Sequence, residues 1–439
     1  MIESLRTSAE AMLASAMDGG ADEAAVTAQR ERVTHIHYEK NDFSISTTNE
    51  RQSFGVTVHA DRRKGRAATN ERGEAALAET ARRALTLAKP SVPDEHLCLP
   101  GPQAPRTLPG RWDPRLAELA AAPLHELAAA FTAAAREDAR ITLDGATLTA
   151  RAAEEVLVNS RGLSVSDRAT RLSWSLMGMA KTADEVTSFD YDAGGAWSWE
   201  EAAGRPEDAA RRLAAKLTAC LGARKGESYR GCVLLSPAAA SELILEVLEF
   251  HVSGRQIMDG KSRWGDSLGE AVAAANLTVT DDPFDMSLGG ATPHDGEGVA
   301  TRPLVLIEDG VLKAHIDSIY TAKRRGTAST GHEGGLHGPV IAPGEHPREV
   351  LLAEADKLVV VERYSGNADP VTGDFSGVAK GSHWVERGER VHPLAETMIA
   401  GNVFEMLKSV VALSDASEPV FAAYRAPWIL VDGISVTAG

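Results

Sequence analysis

The stretch "RPLVLIEDGVLKAHID", residues 302–317, sets Asp309-Gly310 between two apolar runs. A two-residue loop of that composition accepts the backbone angles of a tight turn and closes two antiparallel strands on each other. "HWVERGERVHP", residues 383–393, repeats the arrangement around Arg387-Gly388. Two such hairpins commit the second half of the chain to paired strands. "EVLLAEADKLVVVERYSG" adds a strand near 358–361, and "PWILVDGISVTAG" adds a last one. Ahead of them, the short apolar strand "GCVLLS" leads to Pro237, which opens the helix "AAASELILEVLEFH" ending near Gly254.

The first half reads differently. A helix is expected near 3–18, strands near 33–38 and 42–48, a further strand "FGVTVHA" from Phe54, and a helix from Glu74. "PSVPDEHLCLPGPQAPRTLPG" is a proline-rich connector, followed by an alanine-rich helix over 115–138. Residues 141–179 read as strands punctuated by Asp144-Gly145 and Arg161-Gly162, and 206–221 as another helix. The fold class is α+β: an α/β-type N-terminal domain over 1–225 and a strand-rich C-terminal domain over 226–439.

With 43% hydrophobic residues among 439, a large core is available. The net charge of −16, from 46 basic and 62 acidic residues, argues against nucleic acid or an anionic membrane as a partner. Cys98, Cys220 and Cys232 lack C-x-x-C spacing, so neither a disulfide framework nor a thiolate zinc knuckle is indicated. A cytoplasmic location fits. "MIESLRTSAEAMLASAMDGG" carries acids early, the pattern of an amphipathic helix and not of a signal peptide. No apolar run approaches the length of a membrane span.

"STGHEGGLHG", Ser329, Thr330, Gly331, His332, Glu333, Gly334, Gly335, Leu336, His337 and Gly338, spells H-E-x-x-x-H. Two imidazoles on zinc, with a carboxylate to take a proton from the bound water, would be coherent chemistry. The spacing sets the histidines about 140° apart on a regular helix, against about 40° for H-E-x-x-H. The glycines and Pro339 make this turn chemistry in any case. By that reading His332 and His337 are surface histidines of a loop, a place where function often resides. His251 reads as a helix-end histidine favoured by the dipole. Asp281-Asp282-Pro283 and Asp295-Gly296-Glu297-Gly298 read as solvated acidic turns, without the ligand density of a calcium loop.

Several longer stretches carry a resemblance. "HDGEGVATRPLVLIEDGVLKAHIDSIYTAKRRGTASTG", "GNADPVTGDFSGVAKGSHWVERGERVHPLAETMIAGNVFEMLKSVVALSD" and "APWILVDGISVTAG" resemble the TldD/PmbA family, most closely its PmbA (TldE) branch. "FGVTVHADRRKGRAATN" and "VNSRGLSVSDRATRLSWSL" extend the similarity over nearly the entire chain. In the TldD branch zinc is held by H-E-x-x-x-H on a helix after a glycine-started apolar strand, with a cysteine near the C-terminus. The corresponding slot here runs from Glu246 through Val247 to His251, and no cysteine follows Cys232. The resemblance therefore implies a degenerate slot, no zinc bound by this chain, and zinc in a TldD-like partner subunit acting on unfolded or modified peptides. It also places the glycine loop by the cleft between subunits, where an extended peptide could add as a strand. Two alternatives remain at this point. One is a non-catalytic peptide- or metabolite-binding protein. The other is a stand-alone enzyme, as a homodimer, in a natural-product pathway, with a relocated metal site formed by Glu246, His251, His332 and His337.

Overall fold

Residues 2–438 are described by the computed structural model, which is α+β. After α1 (Ile2–Asp18) come β1 (Glu23–Glu39), β2 (Asp42–Ala60), β3 (Arg63–Thr69) and α2 (Glu74–Ala88). Then follow α3 (Pro114–Ala117), α4 (Ala121–Ala135), β4 (Ile141–Asn159), β5 (Ser164–Ala180), β6 (Asp190–Ala196) and α5 (Arg205–Ala219). The strands form one sheet in the order β3-β2-β1-β4-β5-β6, and every neighbouring pair is antiparallel.

Three expectations change here. The strands expected near 33–38, 42–48 and from Phe54 are parts of two continuous strands, β1 and β2, paired from Glu23↔His59 to Glu39↔Asp42. Alternation vanishes over "STTNERQS" because those β2 positions are exposed or half-buried, so no apolar period marks the strand. Asp144-Gly145 is not a turn but an irregularity inside β4, where the register slips between Leu143 and Gly145. The helix expected over 115–138 is two helices, and Pro123, which has no N–H to donate, stands in the first turn of α4.

The helices of this half lie on one face of the sheet. Even-numbered Ala24, Val26, Val56, Val58, Val156 and Val158 pack against Leu5, Met12, Leu77 and Ala81 of α1 and α2. Ile36, Leu148, Leu172 and Trp174 pack against Leu124, Phe131 and Leu213 of α4 and α5. The opposite face is left to the second half of the chain.

That half begins with β7 (Tyr229–Leu235), α6 (Pro237–Val252), α7 (Gly254–Met258), β8 (Val279–Asp281), β9 (Leu304–Glu308) and β10 (Val311–Leu312). α8 (Ile319–Arg325), β11 (Pro339–Ile341), α9 (Arg348–Ala353), β12 (Lys357–Val361), β13 (Arg363–Ala368) and β14 (Asp374–Lys380) follow. β15 (His383–Glu386), β16 (Glu389–Pro393), β17 (Met398–Asn402), α10 (Val403–Lys408), β18 (Val410–Val420) and β19 (Tyr424–Thr437) complete it. The spine of its sheet runs β10-β9-β8-β11-β19-β7-β12-β15-β16. Both expected hairpins are present: Asp309 and Gly310 turn with φ 49° and 78°, Arg387 and Gly388 with φ 51° and 85°. Leu243, Ile244, Val247 and Leu248 of α6 fill the core against β7 and β19.

The proline-rich connector between α2 and α3 binds the halves together. Asn159 Nδ2 donates to Pro100 O at 2.8 Å, Tyr320 Oη to Asp94 Oδ2 at 2.7 Å, and Lys323 Nζ to Glu95 O and Leu97 O at 3.0 and 3.1 Å. Among the described residues no helix is long and apolar enough to cross a membrane.

Gly65 shows how close β3 lies to α2. A Cβ there would sit 2.0 Å from Ala84 O and 2.6 Å from Ala88 N, both backbone atoms that cannot swing away. Gly65→Ala is expected to cost about 2–3 kcal/mol, read as a lowered denaturant midpoint.

Candidate functional site

The loop 329–338 is pinned by a buried carboxylate. Asp281, at the end of β8, is 0% exposed and accepts the His337 amide at 2.9 and 3.1 Å and the Gly338 amide at 2.8 Å. His332 Nε2 lies 3.1 Å from Asp281 Oδ2, and its Nδ1 donates to Thr330 O at 2.9 Å. His337 stacks on His332 with ring centroids 5.4 Å apart, and its Nε2 donates to Gly331 O at 3.3 Å. Ser329 and Thr330 bond to Asp317, and Asp295 Oδ2 accepts the Glu333 amide at 3.0 Å. The two histidines are thus internal struts. His332 is only 3% exposed, which corrects its reading as a surface residue.

Asp281 and Asp295 correct a second reading. They are buried anchors, not solvated turn residues, and Asp295 Oδ1 also accepts the Glu297 and Val299 amides. Local sequence could not reveal this for Asp281, because the amides it holds lie more than 50 residues away.

The slot on α6 meets the loop on one side only. Glu246, Glu249, Ser253 and Arg255 face His332, Glu333, Gly334 and Gly335 across a cavity of about 440 Å³. Gly335, at φ 109°, lets Glu249 close on the loop: a Cβ there would be 2.1 Å from Glu249 Oε1. Burial raises the pKa of Glu249. Val247 points into the core at 0% exposure and offers no proton acceptor. His251 is also 0% exposed, ringed by Phe250, Trp264 and Phe404 with centroids 4.8 to 5.7 Å away. Its Nδ1 accepts the Arg263 amide at 3.0 Å, and burial lowers its pKa, so it is not a cation held by the helix dipole.

Glu246, His251, His332 and His337, the residues of the relocated metal site, do not converge on one point in this structure. His332 and His337 direct ring nitrogens at loop acceptors, and His251 lies behind the cavity among aromatic rings. His251 Nε2 is buried without a hydrogen-bond partner, yet among the described residues no three His, Cys, Asp or Glu are gathered to hold an ion. The donor set therefore does not fit zinc. Gly265-Asp266-Ser267-Leu268-Gly269 matches G-x-S-x-G but lies in turns, without the strand-to-helix corner that exposes a nucleophile.

Asp281→Asn places an amide N–H against backbone amides. It is expected to cost about 3 kcal/mol in urea unfolding and to open residues 329–338 to limited proteolysis. Glu297 gives a pH-dependent test. Burial, helped by the charges of Glu333 and Asp295, pushes its carboxyl up to about 7. Between 4.5 and 7 the folded chain keeps a proton that the unfolded chain has lost, so stability falls as pH rises through that window. Glu297→Gln keeps an acceptor for the Ile319 amide; it is expected to stabilise the chain by about 1–2 kcal/mol at alkaline pH and little at acid pH, measured by urea unfolding at each pH.

Three consecutive stretches match domains of one family: residues 24–88 the PmbA/TldA metallopeptidase domain 1, 112–221 the central domain, and 228–438 the C-terminal domain. The chain is 30% identical over 384 residues to Metalloprotease PmbA of Escherichia coli O157:H7, covering 83% of this chain and 81% of that one. It is 28% identical to the Metalloprotease PmbA homolog of Haemophilus influenzae, covering 85% and 83%. The crystal structure of TldE from Thermococcus kodakarensis superposes with a TM-score of 0.88 at 25% identity, over 98% of this chain and 100% of that one. A Thermotoga maritima structure, 23% identical and covering 98% and 100%, shares the fold with a TM-score of 0.89. The chain therefore belongs to the PmbA/TldA metallopeptidase family.

Proposed function

We propose that this chain is the TldE-like subunit of a two-chain peptidase, shaping the peptide cleft while an intact TldD-like partner supplies zinc and the activating carboxylate. The observation that carries this reading is Val247: the position that the family resemblance equates with the activating glutamate holds a side chain that is wholly buried and cannot take a proton. The rigid loop supports it further. Gly334, at φ 101°, has open space where a Cβ would stand, so a peptide backbone can approach the loop closely. Glu246 and Glu333 lie on the same cavity and suit the amide or amine groups of an extended chain. The names of its relatives, Metalloprotease PmbA and TldE, fit a place in peptide cleavage.

The test is reconstitution with the TldD-like protein of the same genome. Unfolded casein should be cleaved by the pair and by neither this chain alone nor the pair stripped of the partner's zinc ligands. Cleavage by the isolated chain, or stoichiometric zinc in it after tag-free purification, overturns the proposal.

A further inference from the structure

The face of the first sheet that carries no helices is lined, at its β3 end, by small side chains. Ala25 and Thr27 of β1 stand beside Thr57 and Gly55 of β2, and Ala68 of β3 lies next to Gly55. With Leu157, Asn159 and connector residues 97–100, they bound a groove of about 480 Å³. Gly296, Glu297, Tyr320 and Glu333, from the second half of the chain, form its other wall. The floor of the groove is made of the small residues Ala25, Thr27, Gly55, Thr57 and Ala68, with His59, Lys64 and Arg66 at its β3 end, and the connector is tied to the sheet by the Asn159 bond to Pro100.

Its charges are divided. Lys64 and Arg66 project from β3 on one side, and Glu333 and Glu297, whose carboxyl is pushed up to about 7 until a cation sits beside it, approach from the loops on the other. Lys64 and Arg66 act electrostatically on Glu333, and Lys64 on Glu297, yet none of the four enters an ion pair among the described residues. Glu297 uses one oxygen to accept the Ile319 amide at 2.7 Å, which fixes the carboxyl at the wall. Opposite charges held apart across a groove are matched by a ligand that carries both. A simple anion would leave the two carboxyls unanswered, and a simple cation would leave Lys64 and Arg66 so.

We propose that this groove binds a short zwitterion, an amino acid or a peptide of two or three residues with free termini. The ammonium lies beside Glu297 and Glu333, the carboxylate beside Lys64 and Arg66, and small side chains rest on Ala25, Gly55 and Thr57. The volume is in the range of small-molecule sites. Glu333 also lines the cavity beside α6, so the two spaces meet at the tip of the glycine loop. The site belongs to this chain alone and needs neither zinc nor a partner.

Calorimetric titration of the isolated chain with trialanine, N-acetyl-trialanine and trialanine amide tests it. Free trialanine should bind, and each cap should weaken binding about fivefold to tenfold. Glu333→Gln and Lys64→Gln should each weaken the free peptide by a similar factor, with the melting temperature of each variant confirming the fold. Absence of heat with trialanine at millimolar concentration, or equal affinity for the capped forms, overturns the proposal whatever the outcome of the reconstitution.

Discussion

The Asp281 carboxylate is the contact on which the arrangement of the site depends. A buried carboxyl group is tolerated only where hydrogen-bond partners surround it, and Asp281 has the His337 and Gly338 amides, with the His332 ring beside it. The same residue pairs with Pro339 in the ladder between β8 and β11. The end of a strand thus fixes the entry of the next one, and the ten-residue loop between Ser329 and Gly338 cannot hang free. Its tip, Glu333, then stands where the cavity beside α6 and the groove against the first sheet come together.

The architecture of the first half has a matching logic. All of its helices cover one face of a single antiparallel sheet, and the other face must find its cover elsewhere. The connector after α2 supplies part of it, tied to β4 at Asn159 and to α8 through Tyr320 and Lys323. A proline-rich stretch suits this role because it needs few ladder bonds of its own and is held by side-chain donors reaching its carbonyls. Elsewhere the halves meet through Arg363 and Asp190, Tyr191 and Glu242, and Trp197 and the Met286 carbonyl, and the apolar clusters of the two halves stay separate.

Much of this was legible from residues alone. The Asp309-Gly310 and Arg387-Gly388 hairpins, the helix opened by Pro237 and the buried strand before it follow from turn chemistry and periodicity, and each is where the sequence put it. Residues 23–32 of β1 and 49–53 of β2 were not legible: the buried positions of the first are marked largely by alanine, a weak apolar signal, and the second carries polar residues on both faces and has no period. Asp144-Gly145 misled for a related reason: a turn-like dipeptide also suits a bulge, and only the partner strand decides between them. The candidate site was legible in its parts and not in its bonding. The loop and α6 do share a cavity, but burial of His332, His251, Asp281 and Asp295 is a tertiary fact without a local mark.

The H-E-x-x-x-H spelling of the loop has a structural account. His332 is needed where a ring can span from Thr330 O to the buried Asp281, and His337 where a flat partner can stack on it and reach Gly331 O. Glu333 lies between them in sequence but turns outward, and Gly335 makes room for Glu249. Both histidines of the motif thus hold the loop, and those roles direct their ring nitrogens inward, away from a common centre. A metal would need the opposite, with ring nitrogens converging and unoccupied. The spelling and the site it suggests are therefore in conflict within this loop, and the hydrogen bonds decide in favour of the strut.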